Sequence, residues 1–139
     1  MSVAEVMEKE VVTVTEDVKV GELKELFDKY DFNAFPVLRD GALVGIVTKL
    51  DLLRTITTGG RDSLRDIAKL WAENVGDMMR TAVITLWPDD TILKAADFMV
   101  EFKLRSIPVM DGRKLVGIVS RSDILPYVLT DDGEENGGT

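Results

Sequence analysis

The stretches "LVGIVTKLD" (Leu43 to Asp51) and "LVGIVSRSD" (Leu115 to Asp123) are the same phrase written twice, 72 residues apart. Their first five residues are identical, and each copy keeps a hydroxyl three residues before an aspartate. The offset extends well beyond the phrase. Val3 maps to Val75, Met7 to Met79, Val11 to Val83, Thr13 to Thr85 and Asp17 to Asp89. Pro36-Val37 maps to Pro108-Val109 and Leu53 to Leu125, with no gap from Val3 to Leu53. A fixed internal period of this kind marks a structural unit used twice.

Each unit reads alike. A β-rich segment, "VVTV" or "AVITL", comes first. Val20, Leu23, Leu26, Phe27 and Tyr30 then recur at helical spacing, as do Ile92, Ala95, Ala96, Met99 and Phe102. Two strands joined by a tight Asp-Gly turn follow (Asp40-Gly41, then Asp111-Gly112, displaced by one residue), and a second helix starts near Lys49 or Arg121. The order β-α-β-β-α, repeated, predicts an α+β fold of two repeats about a pseudo-twofold axis, because a unit this short is marginal at burying a core alone. The expected divisions are a first repeat at 1–58, a helical linker at 59–74, a second repeat at 75–129 and an acidic tail at 130–139. Gly59-Gly60 ends the first repeat, Ser63 caps the linker helix, and Leu64, Ile67, Ala68 and Trp71 form its apolar face. The tail "DDGEENGGT" holds no apolar residue to bury and is expected to be disordered.

Composition narrows the chemistry. The 139 residues include no cysteine and no histidine. Disulfides, thiolate nucleophiles, Cys/His zinc sites and Ser-His-Asp triads are therefore excluded. General acid–base work would fall to carboxylates and lysines, which ordinarily titrate far from neutrality. The net charge of −8 disfavours nucleic-acid binding through a positive field. The apolar runs are too short to span a bilayer, and the charged start "MSVAEVMEKE" is not a signal segment. A cytoplasmic location without membrane attachment is expected. "TTGGRDS" lacks the Gly-Lys-Ser/Thr ending of a phosphate loop and is read as a turn.

The repeated phrase has two compatible readings. Thr48-x-x-Asp51 and Ser120-x-x-Asp123 have the form of capping boxes, with a hydroxyl at the N-cap and a carboxylate at N3. A helix N-terminus with free amides also suits a phosphate, and an aspartate beside it can accept two hydrogen bonds from a ribose diol. Gly45 and Gly117 lie within strands, where glycine marks close approach of a ligand or of another backbone.

The pairs "FPVL…LVGIVTKLD" and "IPVM…LVGIVSRSD" closely resemble cystathionine-β-synthase (CBS) domains, and two in tandem resemble a Bateman module. Both copies match that family's motif of Gly, hydrophobic, any residue, Thr/Ser, two of any kind, then Asp. The resemblance implies a regulatory module, an energy or metabolite sensor, that binds AMP, ADP, ATP or S-adenosylmethionine in the cleft between repeats. Carried over by position, Asp51 and Asp123 would hold ribose hydroxyls. Thr48, Ser120 and Ser122 would meet ribose or phosphate oxygens. Phe35-Pro36 and Ile107-Pro108 would form the adenine pocket, partly through backbone atoms. Asn33 and Arg105 would lie near the phosphates. Modules of this family usually pair into flat homodimers, and an effector protein would sense the change; no catalytic cofactor or metal is implied.

The copies differ in ways that favour the second. Arg105 is cationic where Asn33 is not, Leu50 replaces Ser122, and Phe35 is bulkier than Ile107. Lys49, Arg121 and Arg105 are the cations that would offset the acidic background. Trp87 is either a strand-end aromatic or a stacking platform. The expectation is a stand-alone ligand sensor without catalytic activity, acting by a shift between packings. Its rival is a structural or dimerisation module in which the repeated phrases only cap helices.

Overall fold

The computed structural model describes residues 1–57 and 64–128. The expected turn at Gly59-Gly60, the Ser63 cap and the 130–139 tail lie outside the described residues. The chain divides into two compact units. One is Val12–Val83; the other joins Met1–Val11 to the chain from Ile84 onward. The α+β class is as the repeat pattern predicts. The lead segment of each sequence repeat, however, belongs to the unit built on the other repeat's strands.

In the Val12–Val83 unit, β1 (Val14–Thr15) pairs parallel with β2 (Ala34–Arg39), which pairs antiparallel with β3 (Ala42–Thr48). Helix α2 (Val20–Lys29) precedes β2, α3 (Lys49–Thr57) follows β3, and α4 (Leu64–Trp71) leads to a 3₁₀ turn at Val75–Asp77. The other unit opens with α1 (Val3–Val6) and continues with α5 (Ile92–Glu101), the hairpin β4 (Ser106–Asp111) and β5 (Lys114–Ser120), and α6 (Arg121–Val128).

The cores follow the sequence offset residue by residue. Val14, Val20, Leu23, Phe27, Phe35, Val37, Val47 and Leu52 are buried in one unit. Their counterparts Leu86, Ile92, Ala95, Met99, Ile107, Val109, Val119 and Ile124 are buried in the other. The lead segments complete the match, with Val75 closing one core and Val3 the other. They are also held by the same bonds. The amides of Val75 and Gly76 donate to the carbonyls of Val18 and Glu16, and those of Val3 and Ala4 to Asp90 and Pro88.

Both hairpins carry a bulge at the same place, Val37/Leu38 and Val109/Met110. The displaced Asp-Gly pair is absorbed inside the turn. Arg39 pairs with Ala42 and Asp111 with Lys114, so the central residues are Asp40-Gly41 in one and Gly112-Arg113 in the other. Asp40, Gly41 and Gly112 take the positive φ that such two-residue turns require.

Two elements differ from expectation. The segment "AVITL" forms only a parallel bridge from Leu86 to Val109, because Pro88 and the bond from the Trp87 amide to Asp90 Oδ2 (2.7 Å) end the ladder early. The linker helix buries Leu70, with Trp71 packed beside it, while Ala68 is exposed. Gly21 lets the Trp71 side chain approach α2, since a Cβ there would lie 3.3 Å from that of Trp71.

Candidate functional site

Each repeated motif sits where a strand turns into a helix: β3 into α3, and β5 into α6. The turn is pinned by a backbone bond from the first helical residue. The Lys49 amide donates to the Asn33 carbonyl (3.1 Å) and the Arg121 amide to the Arg105 carbonyl (3.0 Å). The residues expected near the phosphates thus stand at the base of each helix N-terminus. Asn33 is half-buried and Arg105 exposed.

The glycines are explained by backbone packing. Arg80 and Ile46 exchange both amide–carbonyl bonds (2.9 Å each), and Glu8 and Ile118 do the same (2.8 and 3.0 Å). These bridges lay the lead segments across the strands. A Cβ on Gly45 would lie 2.8 Å from the Arg80 carbonyl oxygen, and one on Gly117 would lie 2.9 Å from that of Glu8; Met79 and Met7 sulfurs crowd the same points. Of the two meanings open to a strand glycine, another backbone is the one found.

The first motif is a complete capping box. The Thr48 amide donates to Asp51 Oδ2 (3.0 Å), and the Asp51 amide donates to Thr48 Oγ1 (3.1 Å). Arg80 Nε donates to the other carboxylate oxygen, Oδ1, at 2.9 Å. Asp51 is 8% exposed, the one buried charged residue among those described, and both its oxygens are engaged. Arg80 was not singled out from the sequence. Its signal was a charge reversal within the repeat register, because the residue 72 positions earlier is Glu8.

The second motif closes only in part. The Ser120 amide donates to Asp123 Oδ2 (2.8 Å), but the Ser120 hydroxyl pairs with that of Ser122 (2.9 Å). Among the described residues no cation pairs with Asp123, and no protein donor reaches its Oδ1. Leu50, which stands in place of Ser122, is half exposed and offers no polar atom. The structure thus brings Ser120, Ser122 and Asp123 together at one helix start, with one carboxylate oxygen open and two hydroxyls bonded only to each other.

The remaining candidates fall into two groups. The side chains of Phe35 and Ile107 are fully buried in the cores, and Pro36 and Pro108 are buried beside them, which leaves backbone groups as what these positions offer. Phe35 packs on Phe27 at 4.6 Å between ring centroids. Of the cations, Arg121 spends Nε on the Leu104 carbonyl (2.9 Å). Lys49 and Arg105 are exposed, and the Arg105 side chain has no bond among the described residues. Trp87 is 55% exposed. No group of three or more acidic side chains able to hold a metal occurs among the described residues.

The two repeats have counterparts in known proteins. Residues 3–58 and 75–130 match the CBS domain family. This chain belongs to the CBS domain family. An uncharacterized protein of Methanocaldococcus jannaschii is 31% identical, covering 93% of this chain and 92% of its own. The chain spans 31% of a longer relative from the same organism. The crystal structure of a CBS-domain containing protein from Agrobacterium tumefaciens superposes with a TM-score of 0.82 at 25% identity, over 93% of this chain and all of that one. That of CBSX2 from Arabidopsis thaliana in complex with AMP gives a TM-score of 0.77 at 27% identity, over 92% and 96% of the two chains. No described helix of this CBS pair is long and apolar enough to cross a membrane.

Proposed function

We propose that this CBS pair is a regulatory module, not a catalyst, that binds an adenosine-containing ligand through its second motif, with AMP the leading candidate. The observation that carries the proposal is the open half of that motif. Among the described residues Asp123 keeps one carboxylate oxygen without a protein donor, beside two hydroxyls bonded only to each other, at a helix start whose amides favour an anion. In this reading Asp123 accepts the ribose diol, while Ser120 and Ser122 meet ribose or phosphate oxygens. Arg105 makes a charge-assisted bond to the phosphate. The backbone at Ile107 and Pro108 faces the adenine. The AMP complex of CBSX2 supports that ligand class, and the family resemblance keeps S-adenosylmethionine as the alternative. Binding would favour one packing of a homodimer over another, which a partner protein reads.

The test is a thermal melt against AMP, ADP, ATP and S-adenosylmethionine. A ligand at a hundred times its Kd adds about 2.7 kcal/mol to the native state. For a domain of this size that is a rise in Tm of about 10 °C. The rise should be lost in Asp123→Ala. A wild type that responds to none of the four contradicts the proposal, as does an Asp123→Ala variant that keeps the full rise.

A further inference from the structure

The two motifs stand on the same backbone yet end in opposite states, and one pair of positions accounts for it. Arg80 and Glu8 are fixed by equivalent two-bond bridges to Ile46 and Ile118. From that anchor the Arg80 guanidinium reaches Asp51 Oδ1. Glu8 has no proton to donate and would repel Asp123; its carboxylate turns to the Glu10 amide instead (2.9 Å).

We propose that Arg80 is a built-in occupant of the first motif, so that the chain binds one adenosine-containing ligand, at Asp123, and not two. The proposal rests on the nucleotide reading above and assigns its stoichiometry to residues outside the motif. Three observations carry it. Both oxygens of Asp51 are already bonded, one to the Thr48 amide and one to Arg80, whereas Asp123 uses one. The Thr48 hydroxyl accepts from the Asp51 amide and so completes the cap, whereas that of Ser120 turns to Ser122 and leaves the second cap half made. Asp51 is also buried, while Asp123 is only half-buried. A ribose diol approaching Asp51 must share Oδ1 with the guanidinium, which crowds it, or displace a charge-assisted bond with a neutral one. Its competitor is tethered in the same unit, at an effective concentration that a free ligand seldom matches. Glu8 and Arg80 are therefore the determinants of which motif is open, and exchanging them should exchange the sites.

Isothermal titration of AMP, with S-adenosylmethionine in parallel, tests this on the wild type, Arg80→Ala and Glu8→Arg. Both side chains are exposed, Arg80 by 42%, so these variants should keep the fold. The wild type should bind one ligand per chain and Arg80→Ala two. Glu8→Arg should weaken the wild-type site at least tenfold. In ¹H–¹⁵N spectra the Arg80 Nε–H signal of the wild type should stay in place as ligand saturates. Two sites in the wild type, one in Arg80→Ala, unchanged affinity in Glu8→Arg, or an Arg80 signal that moves with ligand would each overturn the proposal while leaving the nucleotide reading standing. If neither probe binds the wild type or Arg80→Ala, the nucleotide reading itself fails and this proposal falls with it.

Discussion

Removing the carboxylate from each motif in turn should not cost the same, and the difference can be worked from the bonds. Asp51→Ala deletes the bond from the Thr48 amide to Oδ2 and the bond from Arg80 to Oδ1. The first is half of a capping box, worth about 1 kcal/mol. The second joins a buried carboxylate to a guanidinium that is 42% exposed, so water screens it, and about 1 kcal/mol is the appropriate size. The total loss is about 2 kcal/mol. Asp123→Ala deletes only the bond from the Ser120 amide and should cost about 1 kcal/mol. Urea unfolding of Asp51→Ala, Arg80→Ala and the double variant closes a cycle, and its coupling energy should be about 1 kcal/mol. The same cycle with Asp123→Ala in place of Asp51→Ala should give none. Equal costs for the two alanine variants, or no coupling between Asp51 and Arg80, would refute the assignment of Arg80 to the first motif.

Gly45→Ala and Gly117→Ala each force a methyl against a backbone carbonyl and a methionine sulfur, and should destabilise by about 1–3 kcal/mol in urea. Wild-type stability in either variant would mean that the lead segments do not lie where described. The surface pair of Arg39 and Glu16 gives a pH dependence. The bond from Arg39 holds the Glu16 carboxyl below its ordinary value, so its contribution is present above that value and is lost as pH falls through the lowered one. The Tm gap between wild type and Arg39→Ala should therefore shrink below about pH 4. A gap that widens in acid would contradict this assignment.

Much of this was legible because the repeat register carries the core. Phe35 and Ile107, or Leu52 and Ile124, occupy matched places because the same strand alternation and helix spacing recur 72 residues on. The exchange of lead segments was not legible. Val3 and Val75 are both valines, and either would fit either core, so the pattern cannot tell which strand each crosses. Gly45 and Gly117 announced a close approach without naming what approached. The motif residues were found by type and spacing. Arg80 and Glu8, to which the proposal assigns the state of each motif, lie outside the motifs in sequence and are brought to them by the backbone bridges to Ile46 and Ile118. The face of the linker helix was misjudged at Ala68 because Leu70 is the residue that reaches the core.

The most direct test is the crystal structure of the chain grown with AMP. The account predicts one nucleotide per chain, its ribose diol on Asp123, its phosphate toward Arg105 and the α6 N-terminus, and Arg80 still bonded to Asp51. Ribose bound to Asp51 with Arg80 displaced, or AMP bound away from both aspartates, would contradict it.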